Sequence, residues 1–201
     1  MGGGRREGGL EEGGGTMAHH RGAVGKTPTV KSASACERFM TERLIADRFT
    51  ADHEDMLLKL HQDPEATRTL GGKRTREEVH AMVGRFVDHW SAHGYGVWLL
   101  RDRTSESFCG RGGLLRATVG GRDEVEVLYA FMPPYWGQGL ATEFTAAALD
   151  VAATDIGLTD VVAYTTPGNI ASRRVMEKNG FEFEGDIVHA GLPHVLYRRP
   201  L

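Results

Sequence analysis

The segment VEVLYAFMPPYWGQGLATEF, residues 125–144, joins a strand pattern to a helix pattern. A strand is predicted at Val125–Met132, because this run is rich in β-branched and aromatic residues. The Pro-Pro pair that follows cannot extend a hydrogen-bonded ladder, so the chain must turn there. A helix is predicted to start near Gly139, because apolar residues then recur at spacings of three and four. These residues are Leu140, Phe144, Ala147, Ala148 and Val151.

The glycines of this turn are suited to binding an anion. A helix start near Gly139 leaves backbone N–H groups without intrahelical partners, and the helix dipole adds partial positive charge there. Glycine lets a phosphate approach this backbone closely, so a diphosphate is the expected ligand. The alternative is a tight turn in which Gly137 and Gly139 only supply permissive dihedral angles. The segment lacks a P-loop lysine and the third glycine of a dinucleotide-binding fingerprint, which disfavours both of those sites.

Two blocks of the sequence resemble the GNAT superfamily of N-acetyltransferases. The loop between strand and helix in that family reads [Arg/Gln]-x-x-Gly-x-[Gly/Ala], and Gly139 and Ala141 fit its last two positions. Trp136 departs from the general pattern, but YWGQGLATE is similar to the branch that contains the bacterial ribosomal-protein N-terminal acetyltransferases. The block NIASRRVMEKNGF, residues 169–181, is similar to the second signature of that branch.

The resemblance implies an α/β fold, with a single GNAT-like domain and a mixed, mostly antiparallel, twisted sheet flanked by helices. It also implies that the central strands splay around acyl-CoA. The implied function is direct transfer, in a ternary complex, of an acetyl group from acetyl-CoA to a primary amine. The acceptor is either a protein N-terminus or a small-molecule amine, since the branch includes both. A catalytically silent acyl-CoA-binding regulatory module is the alternative, because Met176 stands where many relatives carry a tyrosine proton donor.

The resemblance also places the acyl-CoA contacts. They are expected in the glycine loop with its flanking residues and at the start of the later helix. The set is Phe131, Met132, Trp136, Gly137, Gln138, Gly139, Leu140, Ala141, Thr142, Asn169 and Ser172. Asn169 is expected to hydrogen-bond the pantetheine amides, and simple helix capping is the alternative role.

Glu126 is the predicted general base. A carboxylate within an apolar strand tends to have a raised pKa, which suits it to accept a proton. Related transferases also carry a glutamate at this strand position and often use it through a water molecule. The alternative is that strand alternation places Glu126 on a solvated face, opposite Val125 and Val127.

Three further roles complete the predicted chemistry. A backbone N–H near Phe131 or Met132 is expected to stabilise the oxyanion, because the strand loses a ladder partner where the sheet opens. Ser172 is expected to protonate the departing thiolate, since the thioether of Met176 cannot. The helix near Trp90 and the loop before it, residues 70–72, are expected to help form the acceptor pocket.

The composition is typical of one globular domain. The chain has 201 residues, 40% of them hydrophobic and 25% charged, and a net charge of −3 with both signs interleaved. This charge pattern shows no concentration of basic residues of the kind that binds nucleic acid. Two cysteines and nine scattered histidines follow no disulfide or metal-ligand spacing, so no metal is expected. No transmembrane run or secretory signal is visible, which predicts a cytoplasmic protein with no membrane partner.

The predicted element order is βααβββαβαββ, after a glycine-rich disordered tail at residues 1–35. The acetyltransferase domain is expected to occupy residues 36–201. Strands are predicted at Arg43–Phe49, Tyr95–Arg101, Phe108–Thr118, Val125–Met132, Val161–Thr165, Phe181–His189 and His194–Arg199, and helices at about 51–61, 76–93, 139–156 and 169–179. The terminal strand is a candidate edge for pairing, so the sequence leaves both a monomer and a homodimer open.

Overall fold

The structure is a computed structural model that describes residue 1 and residues 36–201. The predicted disordered tail, apart from Met1, lies outside the described residues. The strands are β1 Arg38–Met40, β2 Leu44–Arg48, β3 Val97–Asp102, β4 Phe108–Val119, β5 Arg122–Phe131, β6 Asp160–Thr165, β7 Glu182–His189 and β8 Leu192–Pro200. The α-helices are α1 Glu54–Gln62, α2 Arg76–His93, α3 Leu140–Val151 and α4 Ile170–Lys178.

All eight strands belong to one sheet, in the order β1-β2-β3-β4-β5-β6-β8-β7. Every neighbouring pair is antiparallel except β5 and β6, which run parallel. The predicted mixed and mostly antiparallel sheet is therefore confirmed. The parallel pair shares a single register position, Glu126 with Val162, and beyond it the two strands part. This parting confirms the predicted splay of the central strands.

Strand β5 sends alternate side chains into two separate cores. Val125, Val127 and Phe131 pack with α3 and α4 on one face of the sheet. Leu128 and Ala130 pack on the opposite face, with the apolar residues of α1 and α2. Glu126 shares the second face by alternation. The face opposite Val125 and Val127 is thus covered by two helices and is not simply solvated.

The helix boundaries follow from local capping chemistry. Thr75 Oγ1 accepts a hydrogen bond from the Glu78 amide, and the Glu78 carboxylate accepts one from the Thr75 amide, which forms the predicted capping box. Gly94 ends α2 in the left-handed conformation, with φ of 73°. A single π-helical turn, Ala152–Ile156, extends α3 to Gly157, where the sequence predicted its end. Among residues 36–201, no helix is both long and apolar enough to cross a membrane.

One strand was not predicted. β1 is three residues long and lacks the β-branched residues that mark a strand. It forms because Phe39 pairs with Ala46 in the neighbouring β2, and its ring packs edge-on against Trp98, with a centroid distance of 5.2 Å. The strand is therefore a consequence of tertiary contacts.

Arg198 forms hydrogen bonds with strands on both sides of the parallel pair β5–β6, which we call the seam. From β8, its guanidinium donates to Glu124 of β5 at 2.6 Å and to Glu184 of β7 at 2.6 Å. It also donates to Asp160 at the start of β6. These contacts lie at the end of the sheet where β5 and β6 still meet. We call this group, Arg198 with Glu124, Asp160 and Glu184, the seam cluster.

Candidate active site

A cleft of about 750 Å³ opens where β5 and β6 part. Residues 126–131 of β5 form one wall, and residues 163–165 of β6 form the opposite wall. The start of α3 and the start of α4 line the two sides of its mouth. A concave, partly apolar cavity of this size is typical of a small-molecule or cofactor site.

The glycine loop lines this cleft. Gly137 and Gly139 both have left-handed backbones, with φ of 72° and 79°. Gly139 is the N-cap of α3, and no side chain caps this helix. The first N–H groups of α3 therefore have no intrahelical or side-chain partner at the cleft. The other predicted loop contacts that line the cleft are Trp136, Leu140, Ala141 and Thr142.

Gln138, also predicted as an acyl-CoA contact, does not line the cleft. Its side-chain amide folds back and donates to the Pro134 carbonyl at 2.8 Å, and the residue is not part of the cleft lining. Its own carbonyl accepts from Arg43 Nη1 at 2.8 Å. Gln138 therefore helps to shape the loop, and its side chain is turned away from the predicted acyl-CoA site.

Glu143, in the first turn of α3, holds the loop against the N-terminal strands. It accepts hydrogen bonds from Thr41 Oγ1 at 2.5 Å, the Arg43 amide at 2.8 Å and Arg43 Nε at 2.7 Å. Burial alone would raise the pKa of Glu143, but these hydrogen bonds hold it below its ordinary value. Glu143 belongs to the sequence block that carried the family resemblance, and here its contacts are structural.

Phe131 and Met132 differ in the availability of their backbone amides. The Met132 amide donates to the Cys109 carbonyl at 2.7 Å, and its side chain lines a different, smaller pocket. Met132 is therefore removed from the predicted oxyanion and cofactor contacts. Strand alternation points the Phe131 amide to the opposite edge of β5, which β6 leaves open beyond Glu126. The Phe131 carbonyl on that edge accepts from Trp136 Nε1 at 2.7 Å.

Asn169 and Ser172 meet at the start of α4. Asn169 Oδ1 accepts from the Ser172 amide at 3.2 Å, so Asn169 caps the helix. Its Nδ2 donates to Thr165 Oγ1 at 3.0 Å, and both Asn169 and Ser172 line the cleft. Ser172 Oγ lies 3.0 Å from the hydroxyl of Tyr129 on β5. Burial raises the pKa of Tyr129 to about 12, so this hydroxyl stays protonated at neutral pH.

Glu126 lies in the cleft wall with a shifted pKa. Its Oε2 accepts from the Tyr164 hydroxyl at 2.9 Å, and that hydroxyl lies 3.2 Å from His189 Nε2. Loss of solvation raises the pKa of Glu126 to about 7, against the opposing effects of the Tyr164 hydrogen bond and the charge of Arg111. A carboxyl group with this pKa exchanges a proton readily near neutral pH.

Only some of the residues that were predicted to form the acceptor pocket reach the cleft. Leu70 and Gly71 line the cleft, as expected for the loop before α2. Trp90 does not, because it is buried in the core and its indole donates to the Val97 carbonyl at 2.7 Å. Two arginines that the sequence did not single out, Arg74 and Arg111, complete this wall.

Sequence reasoning also missed Tyr129 and Tyr164. Strand alternation places Tyr129 on the same face of β5 as Val127 and Phe131. This pattern could have identified Tyr129 from the sequence. Tyr164 approaches Glu126 only because two strands distant in sequence become neighbours. Within the described part of the chain, no cluster of three or more His, Cys, Asp or Glu side chains is placed to hold a metal ion.

The fold and the cleft agree with comparisons to known proteins. Residues 43–182 match the family model described as an acetyltransferase (GNAT) domain. YnaD of Bacillus subtilis, which is named an uncharacterized N-acetyltransferase, is 35% identical over 146 residues, which cover 72% of this chain and 82% of that protein.

Two solved structures show the same fold. A GNAT-family acetyltransferase structure from Bordetella pertussis has a TM-score of 0.72 at 24% identity, covering 81% of this chain and 98% of that one. A structure of RimL, a ribosomal L7/L12 α-N-protein acetyltransferase in complex with coenzyme A, has a TM-score of 0.69 at 18% identity, with coverage of 82% and 98%. The length of the family match and the identity to YnaD show that this chain belongs to the GNAT family of acetyltransferases.

Proposed function

We propose that this acetyl-CoA-dependent enzyme transfers the acetyl group directly to a primary amine, with Glu126 as general base. One observation carries the proposal: a carboxylate with a pKa of about 7 lies in the wall of the cleft where β5 and β6 part. The glycine loop at the mouth of the same cleft offers uncapped helix amides. An anion site and a proton acceptor thus share one cavity.

The residues at the cleft mouth suit the polar parts of coenzyme A. Backbone amides near Gly137 and Gly139 would bind the diphosphate, since the helix dipole favours negative charge there. Arg174 and Lys178 of α4 also line the cleft and would meet a further phosphate. Asn169 is oriented by its contact to Thr165, which fixes an amide dipole beside the path of the pantetheine arm.

The chemistry requires one bond to form and one to break. The neutral amine attacks the thioester carbonyl, a C–N bond forms, and the C–S bond then breaks. The proton lost by the amine goes to Glu126, directly or through a water molecule. The Phe131 amide, at the open edge of β5, would stabilise the oxygen that becomes negative.

The departing thiolate needs a proton, and Ser172 with Tyr129 would supply it. The two hydroxyl groups lie 3.0 Å apart, so a proton given up by Ser172 can be replaced from Tyr129. Met176 is 1% exposed and also lines the cleft, but its thioether has no proton to give. This pair would take the role of the tyrosine that many relatives carry at the position of Met176.

Thiol release from acetyl-CoA with a panel of amines and peptide N-termini tests the proposal. Glu126→Gln should lower turnover at least a hundredfold and should leave acetyl-CoA affinity, measured by calorimetry, within about twofold. Asp123→Asn is the matched control, because Asp123 lies on the same strand but is exposed and does not line the cleft. Its turnover should equal that of the wild type.

Two results would contradict this assignment. Tight acetyl-CoA binding without turnover on any amine would establish the silent binding module, and full activity of the Glu126 variant would remove Glu126 from the mechanism. RimL, a protein acetyltransferase by its title, shares this fold, so a peptide N-terminus stays open as acceptor beside a small-molecule amine. A cytoplasmic location, the absence of nucleic-acid and membrane partners, and a monomeric or homodimeric state stay predictions.

A further inference from the structure

Three basic side chains lie together with unsatisfied nitrogen atoms. Among the described residues, six buried side-chain polar atoms lack a hydrogen-bond partner. Four of them belong to His61, Arg74 and Arg111, namely both His61 ring nitrogens and the Nε atom of each arginine. Buried polar groups in folded proteins are nearly always paired, so this concentration requires a cause. We call these three residues the basic cluster.

The basic cluster borders the acceptor side of the cleft. Arg111 pairs in register with Ala130 on β5, which lies on the same face of the strand as Glu126. Arg111 and Arg74 both line the cleft, and His61 lies behind them with 2% exposure. The Arg111 guanidinium lies over the ring of Phe86, with its central carbon 5.8 Å from the ring centroid. This packing fixes the direction of the charge.

Two carboxylates, Glu78 and Glu126, lie near the basic cluster, and only Glu78 forms an ion pair with it. Arg74 forms a long ion pair with Glu78, at 3.4 Å. Arg111 takes part in no ion pair formed by residues 36–201, although the charge of Glu126 acts on it. Burial lowers the pKa of Arg111 only to about 10, so it stays charged at neutral pH. Burial, with the charges of the two arginines, lowers the pKa of His61 to about 4, so its ring is neutral.

We propose that the basic cluster binds a carboxylate of the acceptor, which makes the acceptor a small molecule with an amine and a carboxylate. The inference rests on the proposed function, because it places the amine at Glu126. A guanidinium with free N–H groups matches a carboxylate in geometry and charge. Arg111 and Glu126 lie on neighbouring strands, on the same face of the sheet, and both line the cleft, so the anion and the reacting amine fit on one compact molecule. A polycationic acceptor would meet Arg111 as a like charge.

Pairs of acceptors that differ only in the carboxylate test this inference. The probes are α-amino acids and the corresponding α-amino amides, compared as kcat/KM in acetyl transfer. We expect the wild type to prefer the carboxylates by about tenfold or more, the usual effect of a hydrogen bond to a charged group. For Arg111→Gln, the ratio of kcat/KM between amino acids and amino amides should fall to about 1. The control Arg116→Gln, an exposed arginine on the same strand, should keep it.

Anion binding supplies a readout that does not depend on turnover. Sodium malonate should raise the melting temperature of the wild type saturably, relative to sodium chloride at equal ionic strength, and should not do so for Arg111→Gln. Arg74→Gln is the second variant in case Arg111→Gln fails to fold, since Arg74 is less buried in packing. It should weaken malonate binding and lower the carboxylate preference.

The outcomes separate this inference from the proposed function. Transfer to amines with equal kcat/KM for acids and amides would overturn the carboxylate subsite and leave the acetyltransferase function intact. Malonate binding without any carboxylate preference in transfer would also overturn it, since the cluster would then hold a free anion. Preference for peptides with neutral N-terminal segments over every amino acid would overturn the small-molecule assignment. Absence of all transfer would instead contradict the proposed function.

Discussion

Glu126 is placed where three physical effects act on one carboxyl group. Loss of solvation raises its pKa to about 7, and the Tyr164 hydroxyl and the Arg111 charge limit the rise. As general base, the group is active only when deprotonated. We therefore expect kcat/KM to rise from pH 6 to pH 8 with a midpoint of about 7, as measured in a pH-rate profile with a saturating co-substrate.

The Glu126→Gln variant controls for other titrating groups. Its residual kcat/KM should show no rise with a midpoint near 7, because the titrating carboxyl is gone. Two results would show that another group accepts the proton. One is a wild-type kcat/KM that does not change between pH 6 and pH 8, and the other is a Glu126→Gln profile that keeps the rise with a midpoint near 7.

Tyr164 is predicted to act as a positioning residue for Glu126. Its hydroxyl donates to the ionised carboxylate at 2.9 Å and so lowers the pKa of Glu126. Tyr164→Phe removes this donor, and we expect the midpoint of the pH-rate profile to move to higher pH. A merely structural role would lower the rate at all pH values without moving the midpoint.

At the residue scale, the sequence could identify groups whose role depends on their own neighbours in the chain. Glu126 and the glycine loop belong to this kind, because an apolar strand and a helix start are local features. Arg111 and Tyr164 act through partners on other strands, so no local pattern marks them. Met132 is the opposite case, because the local sequence predicted a contact that the structure does not allow. Its amide donates to the Cys109 carbonyl, and only the register between β4 and β5 reveals this partner.

The start of α3 is held by Glu143, and this contact has a testable effect on stability. We expect Glu143→Gln to lower the free energy of unfolding by about 1–3 kcal/mol, because donors from Thr41 and Arg43 lose a charged acceptor. Denaturant unfolding of the variant and of the control Asp150→Asn, an exposed carboxylate on the same helix, measures the difference.

The pH dependence of that difference has a definite sign. The folded state lowers the pKa of Glu143, so its contribution is complete above the ordinary glutamate pKa and is lost as the pH falls through the lower folded value. Wild type and variant should therefore converge in stability at acid pH. An unchanged difference down to pH 2 would show that the lost contacts are not electrostatic.

At the scale of elements, helices were predicted more accurately than strands. Capping residues such as Thr75 and Gly94 act within one helical turn, so the sequence contains the whole signal. The strand β1 depends on a partner strand and on Trp98. The splay between β5 and β6 likewise came from the family resemblance, because pairing distances between strands are not a local property.

At the scale of the whole molecule, acetyl-CoA is predicted to stabilise the fold. The predicted contacts come from β5 and α3 on one side of the seam and from α4, after β6, on the other. Binding at a ligand concentration of 100 times Kd should raise the stability by about 2.7 kcal/mol. A thermal-shift titration measures this, and Gly139→Val should lose the shift because a side chain at φ of 79° strains the loop.

The single register pair between β5 and β6 divides the sheet into two units, β1 to β5 and β6 with β8 and β7. Few backbone hydrogen bonds join these units directly, so a shared apolar core on one face of the sheet and the seam cluster, whose charges salt weakens, hold them together. Native-state hydrogen exchange should therefore show two protection classes that separate further as ionic strength rises. Such a result would mean that the cleft opens and closes along the β5–β6 pair, and that the long co-substrate enters through this opening.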